Sequence, residues 1–118
     1  MRNSPLDSIK KTADFKQVYA HGKSVSDRHF VVYAHPNEKG ATRLGLSISR
    51  KVGNAVVRNK IRRWIKEFFR LNKPLLLWPS IDIVVVARMS ASTLVNDTKY
   101  GGVEKSLQGL VKQIVVEA

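Results

Sequence analysis

The chain has 118 residues, with 21 Lys and Arg against 9 Asp and Glu, for a formal charge of +12. That length predicts one domain over residues 1–118, with a short flexible N-terminus at 1–5 and too little chain for a second catalytic core. An apolar fraction of 43% excludes a disordered basic tail, and the lack of cysteine excludes disulfides, thiolate zinc sites and thiol chemistry.

The first residues contain no apolar export segment, and the longest apolar run, Ile83 to Ala87, is far short of the roughly 18 to 20 residues that cross a bilayer. A soluble, cytoplasmic chain without a membrane partner is the expectation. The first helix is predicted over Ala13 to His21, with Thr12 as N-cap, Gly22 as its stop, and Phe15, Val18 and Tyr19 on one stripe. Arg28 to His35 reads as a strand, Pro36 to Gly40 as a polar turn, and Thr42 to Ser49 as a second arm, together a β-hairpin. In the second arm Leu44, Leu46 and Ile48 share one parity, and Arg43, Gly45, Ser47 and Ser49 the other, so one face is core and one polar.

Gly53-Asn54 breaks this pattern and caps a helix, which Asn72-Lys73-Pro74 ends. Advancing about 100° per residue, Val57, Ile61, Trp64, Ile65 and Phe68 fall within one narrow arc, while Arg58, Asn59, Arg62, Arg63, Lys66 and Arg70 sweep the opposite one. After a short apolar stretch ending at Trp78-Pro79, Ile81 to Arg88 is a strand apolar on both parities except at Asp82, which predicts a central position. Met89 to Asp97 reads as a polar loop. A last helix is expected from Thr98 to Val115, weakened by Gly101 and Gly102 but striped by Val103, Leu107, Leu110, Val111 and Ile114. The order α-β-β-α-β-α predicts an α+β fold, a small central sheet packed with three helices.

Residues 50–70 carry eight Lys and Arg against the single acid Glu67, a net +7 of the total +12. A merely solvated helix face normally mixes signs. Arg58, Arg62 and Lys66 instead place like charges at i, i+4 and i+8, which repel by tenths of a kcal/mol per pair unless an anion offsets them. Nucleic-acid phosphate is the anion that best fits an arginine-rich helix face. No helix-turn-helix, zinc-finger spacing or basic zipper offers a reader of the DNA major groove, so RNA bound through shape and stacking is the better match. Phe15 and Tyr19 lie one turn apart, and Val31, Tyr33, Ser47 and Ser49 could line a shared face suited to unpaired bases. By spacing alone, core packing of Phe15 and Tyr19 remains the simpler reading.

Groups for protein-borne catalysis are missing from the pattern. His21, His29 and His35 lack metal-ligand spacing, the acids are scattered rather than paired, and neither Gly101-Gly102 nor the 50–54 segment has phosphate-loop spacing. An autonomous metal-dependent nuclease is therefore disfavoured. A structural protein of a ribonucleoprotein such as the ribosome would satisfy the charge and fold equally well.

The run Lys51-Val52-Gly53-Asn54-Ala55-Val56-Val57-Arg58-Asn59-Lys60-Ile61-Arg62-Arg63 closely resembles the RNR motif of the bacterial ribonuclease P protein family. The similarity extends through Phe15 to Gly22, Leu44 to Ser49 and Ile83 to Arg88, covering about Leu6 to Val115. It departs modestly: Lys60 and Lys66 stand where arginine is common, Tyr19 where phenylalanine often occurs, and the C-terminal helix carries a Gly pair. The resemblance implies a non-catalytic subunit, most simply a monomer in its holoenzyme, whose partner RNA performs Mg²⁺-dependent removal of the 5′ leader from precursor tRNA. It further implies catalytic-RNA contacts by Lys51, Asn54, Arg58, Asn59, Lys60, Arg62, Arg63 and Lys66. A leader-binding cleft is implied at Phe15, Tyr19, Val31, Tyr33 and Ser47, bordered by Arg58, Asn59 and Lys66. A left-handed βαβ crossover, against the usual right-handed preference, is implied as well.

Overall fold

The computed structural model describes residues 7–38, 41–72, 81–97 and 100–117. In chain order these form β1 (Asp7–Ser8), α1 (Thr12–His21), β2 (Lys23–Ser26), β3 (Phe30–Pro36), β4 (Arg43–Ser47), α2 (Ala55–Leu71), β5 (Ile81–Ala87), α3 (Ser92–Asp97) and α4 (Tyr100–Glu117), with single 3₁₀ turns at Arg50–Val52 and Met89–Ala91. The expected N-terminus 1–5, the Trp78-Pro79 stretch and the start of the last helix at Thr98 lie outside the described residues.

The strands make one mixed sheet in the order β1-β4-β5-β3-β2. As its two-sided apolar pattern predicts, β5 is central, antiparallel to β3 and parallel to β4. The expected hairpin of β3 with β4 does not form. After β4 the chain crosses over through α2 and returns as β5, which inserts between those two strands, so the hairpin of the fold is β2 with β3. Neither β1 nor β2 is anticipated by the pattern, since runs of two and four residues are too short to display an alternation. The segment expected as a loop after β5 holds a 3₁₀ turn and the six-residue α3, which buries Leu94.

The pleat assigns the faces. Phe30, Val32 and Ala34 of β3, Leu44 of β4, and Ile81, Ile83, Val85 and Ala87 of β5 join the buried residues of α2, α3 and α4 in the main core. On the opposite face Val84 packs with Ile9 and with Val18 of α1, and Phe15, Tyr33 and Val86 lean against them. The fold is thus a sheet with α2, α3 and α4 on one side and α1 on the other.

Helix α2 starts where expected: Asn54 is extended at φ −73° and its Oδ1 accepts from the Val57 N–H, satisfying one orphan donor of the first turn. Its buried stripe is Ile61, Ile65, Phe68 and Phe69, each side chain worth about 1.5 to 3 kcal/mol of transfer free energy. Phe69 is an addition to the predicted stripe, and meets Phe68 edge to face at 5.1 Å. Helix α1 has Lys11, not Thr12, as its N-cap, and no side chain bonds its first turn; Thr12 is already helical. At its other end Gly22 lets the chain pass close to β3. A Cβ there would sit 2.6 Å from the Val18 carbonyl oxygen and 2.9 Å from that of Ala34.

Asp82, the one acid in the central strand, is buried and fully engaged. Arg43 Nε and Nη2 donate to its two carboxylate oxygens at 2.8 and 2.6 Å, and Asn37 Nδ2 donates at 2.6 Å. Arg43 Nη1 also reaches Asp14 of α1 at 3.3 Å, tying that helix to the sheet. The Asp82 hydrogen bonds push the Arg43 guanidinium further above its already high range.

Candidate nucleic-acid interface

Two surfaces gather the residues that the sequence singles out, and they lie on opposite faces of β4. The first is the sheet face under α1. Across the strands, Ser24, Tyr33, Val84 and Gly45 stand in one register row, and Ser26, Val31, Val86 and Ser47 in the next. In-register partners project to the same side of a sheet. Val31, Tyr33 and Ser47 therefore do share a face, although β5 separates the strands that carry them.

Helix α1 lies over the first of these rows, and of the second Val86 leans against the same cluster. Phe15 lies directly on Gly45, where an added Cβ would come within 2.7 Å of the ring. Tyr19, one turn on, stands 40% exposed and meets Tyr33 edge to face at 5.0 Å, with Phe15 at 6.3 Å. Phe15 is thus partly the core residue its spacing suggests, whereas Tyr19 offers an open ring beside the half-buried row of Val31, Val86 and Ser47. The result is a shallow aromatic cleft floored by small and β-branched side chains. Ser24, Ser26 and Val86 complete it; only the Ser-Val-Ser alternation of β2 marks the two serines in the sequence.

The second surface belongs to α2. Asn59, Arg62, Arg63 and Lys66 line a groove of about 600 Å³ together with Arg70, over a floor that includes Leu44, Leu46 and Phe69. Leu44 and Leu46 have the parity opposite to Ser47, and Asn59 and Lys66 line the groove on their side of β4. Among the described residues no carboxylate pairs with Arg58, Arg62, Arg63 or Lys66. Arg58 Nε donates to the Gly53 carbonyl at 3.1 Å and Arg62 Nη1 to Asn59 Oδ1 at 2.8 Å, neutral acceptors that orient the guanidinium groups and leave their charge in place. The one acid of the helix, Glu67, is held by Arg70 at 3.0 and 2.6 Å, and that hydrogen bonding lowers its pKa.

The remaining predicted contacts are scattered. Lys60 turns to the other side of α2, its Nζ 5.7 Å from the Trp64 ring centre. Lys51 is exposed in the 3₁₀ turn, where its backbone N–H bonds Ser49 Oγ. Asn54 spends its side-chain oxygen on the helix cap. Among the described residues, no three His, Asp or Glu side chains converge as metal ligands, and no helix is long and apolar enough to cross a membrane. His21 and His35 come within 6.1 Å, ring centre to ring centre, without a third ligating group.

An apolar, aromatic cleft backed by a cationic groove suits a nucleic acid that offers both bases and phosphates. Known proteins match the chain in sequence and in fold. The family model described as Ribonuclease P matches residues 4–115. A ribonuclease P protein component from Clostridioides difficile is 42% identical over 105 residues, 89% of each chain. One from Staphylococcus haemolyticus is 43% identical over 100 residues, covering 85% of this chain and 86% of that one. Among solved structures, the RNase P protein of Staphylococcus aureus superposes with a TM-score of 0.79 at 43% identity, covering 89% of this chain and 92% of its own. That of Thermotoga maritima gives 0.81 at 34% identity, with 92% and 97% covered.

Proposed function

The chain belongs to the ribonuclease P protein family, and we propose that it is the RNA-binding subunit of a ribonuclease P ribonucleoprotein, an endoribonuclease that matures the 5′ end of tRNA. In this reading the partner RNA carries the Mg²⁺-dependent hydrolysis and the protein supplies binding. The cationic face of α2 docks on the catalytic RNA. The cleft of Phe15, Tyr19, Val31, Tyr33 and Ser47 receives the single-stranded 5′ leader of precursor tRNA, the exposed Tyr19 ring stacking on a base. The holoenzyme acts in the cytoplasm with one copy of this single-domain chain.

The observation that carries the proposal is the α2 face itself: four cations without an acid partner among the described residues. Each phosphate they neutralise releases counterions, which makes the binding strong and salt-dependent. Reconstitution is the test. Added to the ribonuclease P RNA at low Mg²⁺, the chain should accelerate cleavage of precursor tRNA and tighten its binding relative to mature tRNA, while the chain alone cleaves nothing. Failure to bind the RNA or to improve cleavage would refute the proposal. Cleavage by the protein after rigorous RNA removal would refute the division of labour. Recovery of ribosomal RNA without ribonuclease P RNA from native protein would favour the ribosomal alternative.

A further inference from the structure

The groove between α2 and β4 has a feature that phosphate binding leaves unused: its floor is apolar and reaches the edge of the sheet. Strand β1 covers only the beginning of β4, pairing at Arg43 and Leu44, and the Leu44 carbonyl accepts from Ile9 N at 3.0 Å. Backbone groups alternate sides along a strand, so the N–H and C=O of Leu46 point to that same edge, past the last residue of β1. The half-buried Leu46 side chain lies on the groove floor beside Leu44 and Phe69. Above them stand Asn59, Arg62, Arg63 and Lys66. Together with Ser8 and the Arg70-paired Glu67, which also line the groove, these groups match one nucleotide: the half-buried Leu46 side chain for a base, a backbone donor and acceptor with the Asn59 amide for its edge, and cations for the flanking phosphates.

We infer that this groove takes a single unpaired nucleotide of the RNA docked on α2, its base on Leu46 next to the buried Leu44 and its phosphates on Arg62, Arg63 and Lys66. The inference rests on the proposed role of α2 as an RNA-docking face and adds to it a base pocket on the opposite face of β4 from the leader cleft. The groove volume of about 600 Å³ accommodates a nucleotide without rearrangement of the core, and the charge around it selects a polyanion over an apolar ligand.

The full chain, labelled at its leucine methyl groups, is titrated with a short oligo(A) RNA and with an abasic ribose-phosphate oligomer of the same length and charge. The Leu44 and Leu46 methyl resonances should move upfield with oligo(A), through the ring current of a stacked base, and stay in place with the abasic oligomer. The abasic oligomer should bind at least about fivefold more weakly, the low end of the loss expected for one stacked base. The same methyl shifts should persist in the Tyr19→Ala protein, where the aromatic cleft is impaired. Leu46→Phe, which fills the groove from its floor, should bring oligo(A) binding towards the abasic level. Leucine methyl groups that do not move while oligo(A) binds would overturn the inference. An unchanged salt dependence for both oligomers after Arg62→Ala with Arg63→Ala would overturn the docking role of α2, whatever the methyl groups do.

Discussion

Replacing Arg43 by alanine should be among the most destabilising single changes in the chain, although Arg43 lies on the parity that reads as polar surface. Asp82 is 4% exposed and accepts three hydrogen bonds, two from Arg43 at 2.8 and 2.6 Å and one from Asn37 at 2.6 Å. Arg43→Ala removes two of those donors and the cation, leaving a carboxylate in the sheet with one neutral partner. Breaking a buried pair from one side costs about 3 to 5 kcal/mol, a large part of the roughly 5 to 15 kcal/mol that holds a typical domain together. For a chain of this size that is a drop of roughly 10 to 20 °C in Tm. Asp14→Asn loses only the longer contact at 3.3 Å from a more exposed carboxylate, and should cost no more than about 1 kcal/mol. Arg43→Met with Asp82→Leu, which removes both charges, should recover most of the loss, because the penalty comes from the orphaned ion rather than from the absent pair. Urea and thermal unfolding followed by circular dichroism measure all three. The reasoning fails if Arg43→Ala costs less than about 1 kcal/mol, or if the double variant is no more stable than the single one.

The two surfaces should respond differently to substitution. Arg62→Ala with Lys66→Ala should reduce the slope of log K against log salt for ribonuclease P RNA by about 1.4 to 1.8, whereas Arg70→Ala, already bidentate to Glu67, should change it less per residue; equal slopes per residue would argue against that ranking. Tyr19→Ala should weaken binding of precursor tRNA by roughly 1 to 3 kcal/mol and leave mature tRNA unaffected, and equal losses on both would point to misfolding. Gly45→Ala should displace the Phe15 ring, 2.7 Å from the added methyl, at a cost of about 1 to 3 kcal/mol. Combining it with Phe15→Leu should yield a coupling energy in a double-mutant cycle, and strict additivity would show that ring and strand do not touch.

Which of these features can be read without coordinates depends on the range of the interaction. Helix α2 is written locally: its cap, its 3.6-residue stripe and its charged arc all lie within one run of chain, and the structure follows them from Asn54 to Asn72. The centrality of β5 is local too, since a strand buried on both faces must be apolar on both parities. Strand neighbours are not local. Adjacency in sequence favours a hairpin of β3 with β4, and only the return of the chain through α2 places β5 between them. The shared parity of Val31, Tyr33 and Ser47 is legible in the alternation of the strands, but the crossover puts β5 between the strands that carry them. The groove was hidden for a further reason: its floor comes from the core parity of β4 and its rim from the polar arc of α2, two sets that patterning assigns to opposite fates.

That division follows from the width of the sheet. With β1 only two residues long, β4 is, among the described residues, an interior strand at Arg43 and Leu44 and an edge strand from Leu46 onward. An edge normally invites pairing with another chain, and charge beside it is a common means of preventing this. Here the charge is the basic face of α2, which repels a second copy of this +12 chain and attracts RNA. On the proposed role of α2, one set of side chains serves two ends: the cations that would hold a nucleotide at the edge of β4 also oppose strand addition there. Lowering that charge should therefore weaken RNA binding and, in the free protein, raise its tendency to self-associate. Light scattering of the Arg62→Ala, Arg63→Ala, Lys66→Ala triple variant at low salt checks the second effect, and a variant as monodisperse as the parent chain would count against the guarding role.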